Sequence, residues 1–214
     1  MAKREPGERR KEILQTLAHM LENPKSEKIT TALLASKLDV SEAALYRHFA
    51  SKAQMFEGLI EFIEETVFSL VNKIQTEETN GMKQIEATVS MLLGFAQKNP
   101  GMTRVLIGDA LVNEDEKLQQ RINQLHERLE ATVRQSLRFA ATQNEIAQDV
   151  DLGAQANLAI SFVIGRWHQY AKSGFKRDPA EMWAQQWKQL MEGVLALDIY
   201  ARRRRITRRT ICQR

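Results

Sequence analysis

Apolar residues recur along this chain at the three- and four-residue spacing of amphipathic helices, interrupted by short polar runs, and that pattern predicts an all-α fold. The first helix is expected over about residues 8–22, with Ile13, Leu14, Leu17, Met20 and Leu21 on one face, ending before the loop NPKSEK. Two short helices then flank a tight turn at Asp39 and Val40. Thr30 and Thr31 open the first, which carries Ala32, Leu33, Ala35 and Leu38 at helical spacing. Ser41 opens the second, whose Leu45 and Phe49 face inward, and Ser51 opens a long helix to about Gln75. Together they read as a helix-turn-helix. The long helix has an apolar stripe of Phe56, Leu59, Ile60, Ile63, Val67, Leu70, Val71 and Ile74. Phe62 lies about 120° from that stripe at 100° per residue, so it is a contact to a second layer or an exposed aromatic.

Farther along, a fifth helix ends at Lys98, stopped by Asn99, Pro100 and Gly101. A short helix with Val105, Leu106, Ala110 and Leu111 follows, and the acidic run from Asn113 to Glu116 opens a long helix to about Ala141. Asp151 to Lys172 and Pro179 to Leu197 are expected to form the last two helices. Their apolar surface, with Phe162, Trp167, Trp183, Trp187, Leu190, Met191 and Val194, exceeds what a thin layer needs. A second copy of the chain is the expected cover, giving a homodimer; the alternative is a monomer with a large C-terminal core.

The helix-turn-helix carries chemistry suited to a groove lined with phosphate. Hydroxyls at helix N-termini (Thr30, Thr31, Ser41), the Tyr46 phenol and the cations Lys28, Arg47 and Lys52 can bond phosphate oxygens. Ser41, Glu42, Ala43, Ala44 and Tyr46 are candidates for base edges, and the small residues keep this helix slim enough for a major groove. His48 belongs to the same candidate DNA surface. The alternative is that Tyr46 and His48 only close a three-helix core.

Charge sharpens this division. The net charge of +4 splits into +3 over residues 1–56, −6 over 57–198 and +7 over 199–214. A basic headpiece on an acidic body turns one end toward nucleic acid. The organisation expected is a DNA-binding headpiece over 1–52, a helical dimerisation and partner-binding domain over 53–198 and an Arg-rich tail over 199–214. No apolar run is long enough to span a bilayer, so the expected location is cytosolic, without membrane contact. The single cysteine, Cys212, cannot form an intrachain disulfide. His126 and Glu130, at i and i+4, offer a metal only two ligands. No nucleophile elbow or Gly-rich phosphate loop is present, so neither an enzyme nor a cofactor or metal site is expected.

The block from Thr30 to Lys52 resembles the DNA-binding headpiece of the TetR family of dimeric bacterial regulators. Within that family, VSEAALYRHFASK, LIEFIEE, GFAQKNPGMTRVL and INQLHERLEATVRQSLR are similar to the nucleoid-occlusion group, over roughly Arg9 to Leu137. The resemblance implies an all-helical dimer that binds a palindromic site on double-stranded DNA and contacts the division GTPase FtsZ. It places the partner surface at Phe62, Met91, Gly94, Lys98 and Asn99. The chain departs from that group at Leu70, which replaces a basic residue, at Asp109, which replaces histidine, and at Lys98, which replaces arginine. The alternative function is a ligand-controlled repressor, with a small molecule held among Met91, Phe95, Met102, Phe162 and Trp167.

Overall fold

In the computed structural model the residues described are 7–23, 29–112, 114–147, 149–192 and 194. They form α1 (Glu8–Leu21), α2 (Thr31–Lys37), α3 (Glu42–Tyr46), α4 (Lys52–Glu77), α5 (Gly81–Lys98), α6 (Pro100–Leu106), a 3₁₀ turn (Asp109–Leu111), α7 (Glu116–Thr142) and α8 (Leu152–Lys172). A last helix, α9, covers 183–192. The candidate positions Lys28 and Cys212 and the Arg-rich stretch 199–214 lie outside the described residues.

Short polar caps set the boundaries. Thr30 Oγ1 accepts from the Leu33 N–H at 3.1 Å, Ser41 Oγ from Ala44 at 3.3 Å and Ser51 Oγ from Gln54 at 3.2 Å. Each satisfies one orphan donor at a helix start, at about 1 kcal/mol. Asp39 turns the chain between α2 and α3 with φ at 53°. At α5 the cap is shared across the fold. The Gly81 N–H donates to Gln143 Oε1 at 3.1 Å, the Met82 N–H to Glu145 Oε2 at 3.0 Å, and the Asn80 amide also bonds Glu145.

The body is a stack of α4, α5, α7 and α8 around one core. Trp167 Nε1 donates to the Leu92 carbonyl at 3.1 Å and the Tyr170 hydroxyl to the Gln97 carbonyl at 3.1 Å, pinning α8 along α5. Arg121 forks onto the Glu64 carboxylate at 2.6 and 3.2 Å, and the Arg128 guanidinium lies 3.9 Å over the Phe68 ring, joining α7 to α4.

Four expectations need correction. In α2 the buried face is Leu34 and Ala35, not Leu33, which is 41% exposed. With two adjacent leucines, helical spacing alone does not choose between them. Leu70 is 40% exposed at the outer edge of the α4 stripe, where the turn of the helix carries it off the core. Trp167, Met191 and Val194 are buried within the single chain, at 1%, 1% and 2% exposure, and therefore belong to its own core. The final helix does not begin at Pro179: the chain turns through 179–182, with Met182 at φ 62°. Buried Arg166 holds that turn, donating from Nε to the Pro179 carbonyl at 2.9 Å and from Nη2 to those of Asp178 and Glu181 at 2.7 and 3.0 Å.

Candidate nucleic-acid interface

The turn between α2 and α3 is held from behind by the start of α1. Arg10 Nη1 donates to the His48 carbonyl at 3.0 Å while its guanidinium lies 4.1 Å over the Phe49 ring, and Arg9 Nη2 reaches the Leu38 carbonyl at 3.5 Å. Both arginines sit at the C-terminal ends of short helices, where the dipole favours a cation. With the back sealed, the front of α3 faces solvent: Ser41, Glu42, Ala43, Tyr46, Arg47 and His48 are exposed and Ala44 is half-buried. Tyr46 is 45% exposed, so it does not close the three-helix core. The Thr31 hydroxyl donates to Glu42 Oε2 at 2.5 Å, tying the starts of α2 and α3 together. Thr30 and Ser41 use a lone pair for capping and keep an O–H free to donate.

Lys52 is placed differently from expectation. Its ammonium, in the first turn of α4, is paired with the Glu114 carboxylate from the segment before α7 and lies 5.6 Å over the Phe56 ring.

The second group of candidates is split between two surfaces. Half-buried Phe62 faces a cleft of about 400 Å³ between α1, α4 and α6, lined also by Arg10, Lys11, Leu14, Glu65 and Met102. Met91, Gly94 and Lys98 do not line it. They lie on α5, where a side chain at Gly94 would meet nothing within 4 Å and Lys98 is exposed. A glycine inside a helix costs about 1 kcal/mol relative to alanine. No contact among the described residues requires it at 94. The Asn99 side chain donates to the Phe95 carbonyl at 2.7 Å and so closes α5.

On the α8 and α9 side, Phe162, Trp183 and Trp187 form a half-buried ring stack with centroids 5.8 and 5.5 Å apart, flanked by half-buried Leu190. Beside it α8 presents exposed Leu158 and Gly165, the latter also without a neighbour within 4 Å of an added Cβ.

Two family models match separate stretches of the chain. The family described as "Bacterial regulatory proteins, tetR family" matches residues 27–59, and "Tetracyclin repressor-like, C-terminal domain", of the SlmA-like type, matches 79–195. The chain is 46% identical to Nucleoid occlusion factor SlmA of Marinomonas sp. (strain MWYL1), over 88% of this chain and 96% of that protein. It is 50% identical to the protein of the same name from Alteromonas mediterranea, over 84% of this chain and 92% of the relative. The chain belongs to the SlmA family. Solved structures extend the likeness in fold alone. A TetR transcription regulator from Haloarcula marismortui superposes with a TM-score of 0.74 at 16% identity, covering 88% of this chain and 99% of that one. The fatty acid degradation regulator FadR from Bacillus halodurans gives 0.74 at 15%, covering 89% and 98%.

As a member of the SlmA family the protein is a DNA-binding regulator and not an enzyme. Among the described residues no helix is long and apolar enough to cross a membrane. His126, weighed above for a metal, packs its ring 6.0 Å from Trp167, and burial holds its pKa below the ordinary value.

Residues that sequence reasoning missed lie where headpiece meets body. Arg104 of α6 donates to the carbonyls of Leu21 and Asn23 at 3.3 and 3.4 Å, capping the end of α1, while its Nε bonds Asp109 at 2.8 Å. Asp109 also pairs with Lys172 at the end of α8. Burial pushes the Asp109 carboxyl up, but hydrogen bonds from Lys172 and Arg104, with their charges, outweigh it and hold the pKa below the ordinary 3.8. A carboxylate with a depressed folded pKa contributes stability in full above that ordinary value and loses it as pH falls through the folded one. The stability gap between wild type and Asp109→Asn should therefore be widest near neutrality and shrink as pH falls below about 4. Urea titrations of both proteins across that range measure it, and a gap independent of pH would exclude the ion pairs as its source.

Proposed function

We propose that this protein is a nucleoid occlusion factor that sits on palindromic chromosomal sites and antagonises assembly of the FtsZ ring there. Its location is then cytoplasmic and nucleoid-associated. The observation that carries the reading is identity of 46 and 50% to nucleoid occlusion factors across headpiece and body alike. The exposed face of α3, with Ser41, Tyr46, Arg47 and His48, supplies hydroxyls and cations for phosphates and small side chains for base edges. The division of labour proposed is headpiece over 1–52 for DNA and 53–198 for dimerisation and partner. The ring stack of Phe162, Trp183 and Trp187, with Leu158 and Gly165 beside it, supports an isologous contact between two copies.

Partner binding is assigned to α4 and α5. Open space at Gly94 lets a peptide backbone approach, and exposed Lys98 one turn on attracts acidic side chains. Phe62 lines a separate cleft, so it acts either as a second anchor or through the packing of α4.

The test separates the two activities. Tyr46→Ala should weaken operator binding by about 1 to 3 kcal/mol and leave FtsZ binding intact. Phe62→Ala and Lys98→Glu should abolish binding of a labelled FtsZ tail peptide while operator affinity stays near wild type. No peptide binding by wild type returns the protein to a ligand-controlled repressor, and equal binding by all variants moves the partner site off Phe62 and Lys98.

A further inference from the structure

Lys52 and Glu114 are 62 residues apart in the chain, one at the first turn of α4 beside the helix-turn-helix and the other in the segment leading to α7. Their side chains are only 22% and 13% exposed, so water screens the pair less than an ordinary surface ion pair. We propose that Glu114 is an intrachain competitor for the phosphate that Lys52 meets, and that it sets the affinity of the headpiece for DNA. This rests on the reading of α2 and α3 as the DNA-contacting elements.

An ammonium has three N–H donors; one lies on the Glu114 carboxylate and the Nζ atom sits above the Phe56 ring. A phosphate arriving at Lys52 either displaces Glu114 or accepts a second anion a few ångströms away, and both reduce affinity. With Glu114 shared against it, Lys52 adds only part of its charge to the count of neutralised phosphates. That count governs the salt dependence of binding, at about 0.9 per phosphate in the slope of log K against log salt. Glu114 belongs to the body, so the contact also couples the two parts of the molecule. Whatever holds Glu114 onto Lys52 weakens DNA binding, and DNA that takes Lys52 releases the segment before α7.

The alternative role, a strut that merely holds the headpiece in place, predicts the opposite sign for one variant. Breaking a strut from either end weakens binding. Removing a competitor strengthens it, while removing the lysine still weakens it.

The experiment uses the full-length protein and a fluorescent palindromic duplex selected by the wild type from random-sequence DNA. Anisotropy titrations across a range of salt compare wild type, Glu114→Gln, Lys52→Met and the double variant. Glu114→Gln should bind about fivefold tighter at low salt, with a slope steeper by a fraction of the roughly 0.9 that one fully neutralised phosphate contributes. Lys52→Met should bind more weakly, and adding Glu114→Gln to it should give a clearly smaller gain than in the wild-type background. Unchanged or weaker binding by Glu114→Gln, or an equal gain in the Lys52→Met background, overturns the proposal while leaving the headpiece reading intact. Wild-type binding by Lys52→Met removes Lys52 from the interface and the competitor with it. If the wild type selects no duplex, the headpiece reading itself fails.

Discussion

Adding a single methyl at Gly101 should separate the headpiece from the body. A Cβ built there lies 1.9 Å from the Ala18 carbonyl oxygen and 2.9 Å from its carbon. Both are backbone atoms of α1, so no side chain can swing aside and one of the two helices must shift. Overpacking of a close-packed contact costs typically 1 to 3 kcal/mol, and this case belongs at or above the top of that range, about 3 kcal/mol. The shift also pulls Arg104 from the carbonyls of Leu21 and Asn23, which uncaps α1. Gly101→Ala should therefore lower both the urea midpoint and operator affinity. Gly94→Ala is the internal control: the space around Gly94 is open, and alanine should stabilise the isolated protein by up to about 1 kcal/mol. Similar stability for the two variants would mean that α1 and α6 slide freely over each other.

The second large effect is expected at Arg166. The residue is 6% exposed, and its guanidinium supplies donors to three backbone carbonyls of the turn before α9. Replacing it by methionine keeps most of the apolar stem and leaves those carbonyls without partners. A hydrogen bond from a charged donor contributes about 1.5 to 3 kcal/mol, and partial access of water to the turn offsets some of the loss, so about 3 kcal/mol is expected. Lysine should not restore the wild-type value, because a single ammonium cannot reproduce the planar fork. Hydrogen exchange of 178–183 and the dimer dissociation constant are the readouts. If Arg166→Lys matches wild type in both, the fork geometry is unimportant.

These two sites show what the sequence reveals and what it conceals. The caps at Thr30, Ser41 and Ser51 were legible because a cap and its partner are three residues apart, within reach of local pattern. The exposed front of α3 follows from the same spacing. Arg166 was invisible because its partners are carbonyls, which every residue has, and they lie 12 to 15 positions away in a turn with no motif. Trp167 was assigned to a dimer face because helical periodicity identifies an apolar stripe but not the neighbour that covers it. Here the neighbour is α5 of the same chain, through the carbonyl of Leu92. The sequence places Lys52 in the first turn of the long helix, yet its partner Glu114 is visible only in the fold.

The way α1 is finished bears on the order in which the protein is made. Its far end is capped by Arg104, 83 positions after Leu21, and its side is closed by the α6 turn at Gly101. A ribosome adding about 5 to 20 residues per second needs several seconds between completing the helix-turn-helix and delivering that cap. During the interval the nascent headpiece is a partner short. A fragment ending after α3 would share that condition permanently, so the DNA-reading end matures only after the beginning of the body has been translated.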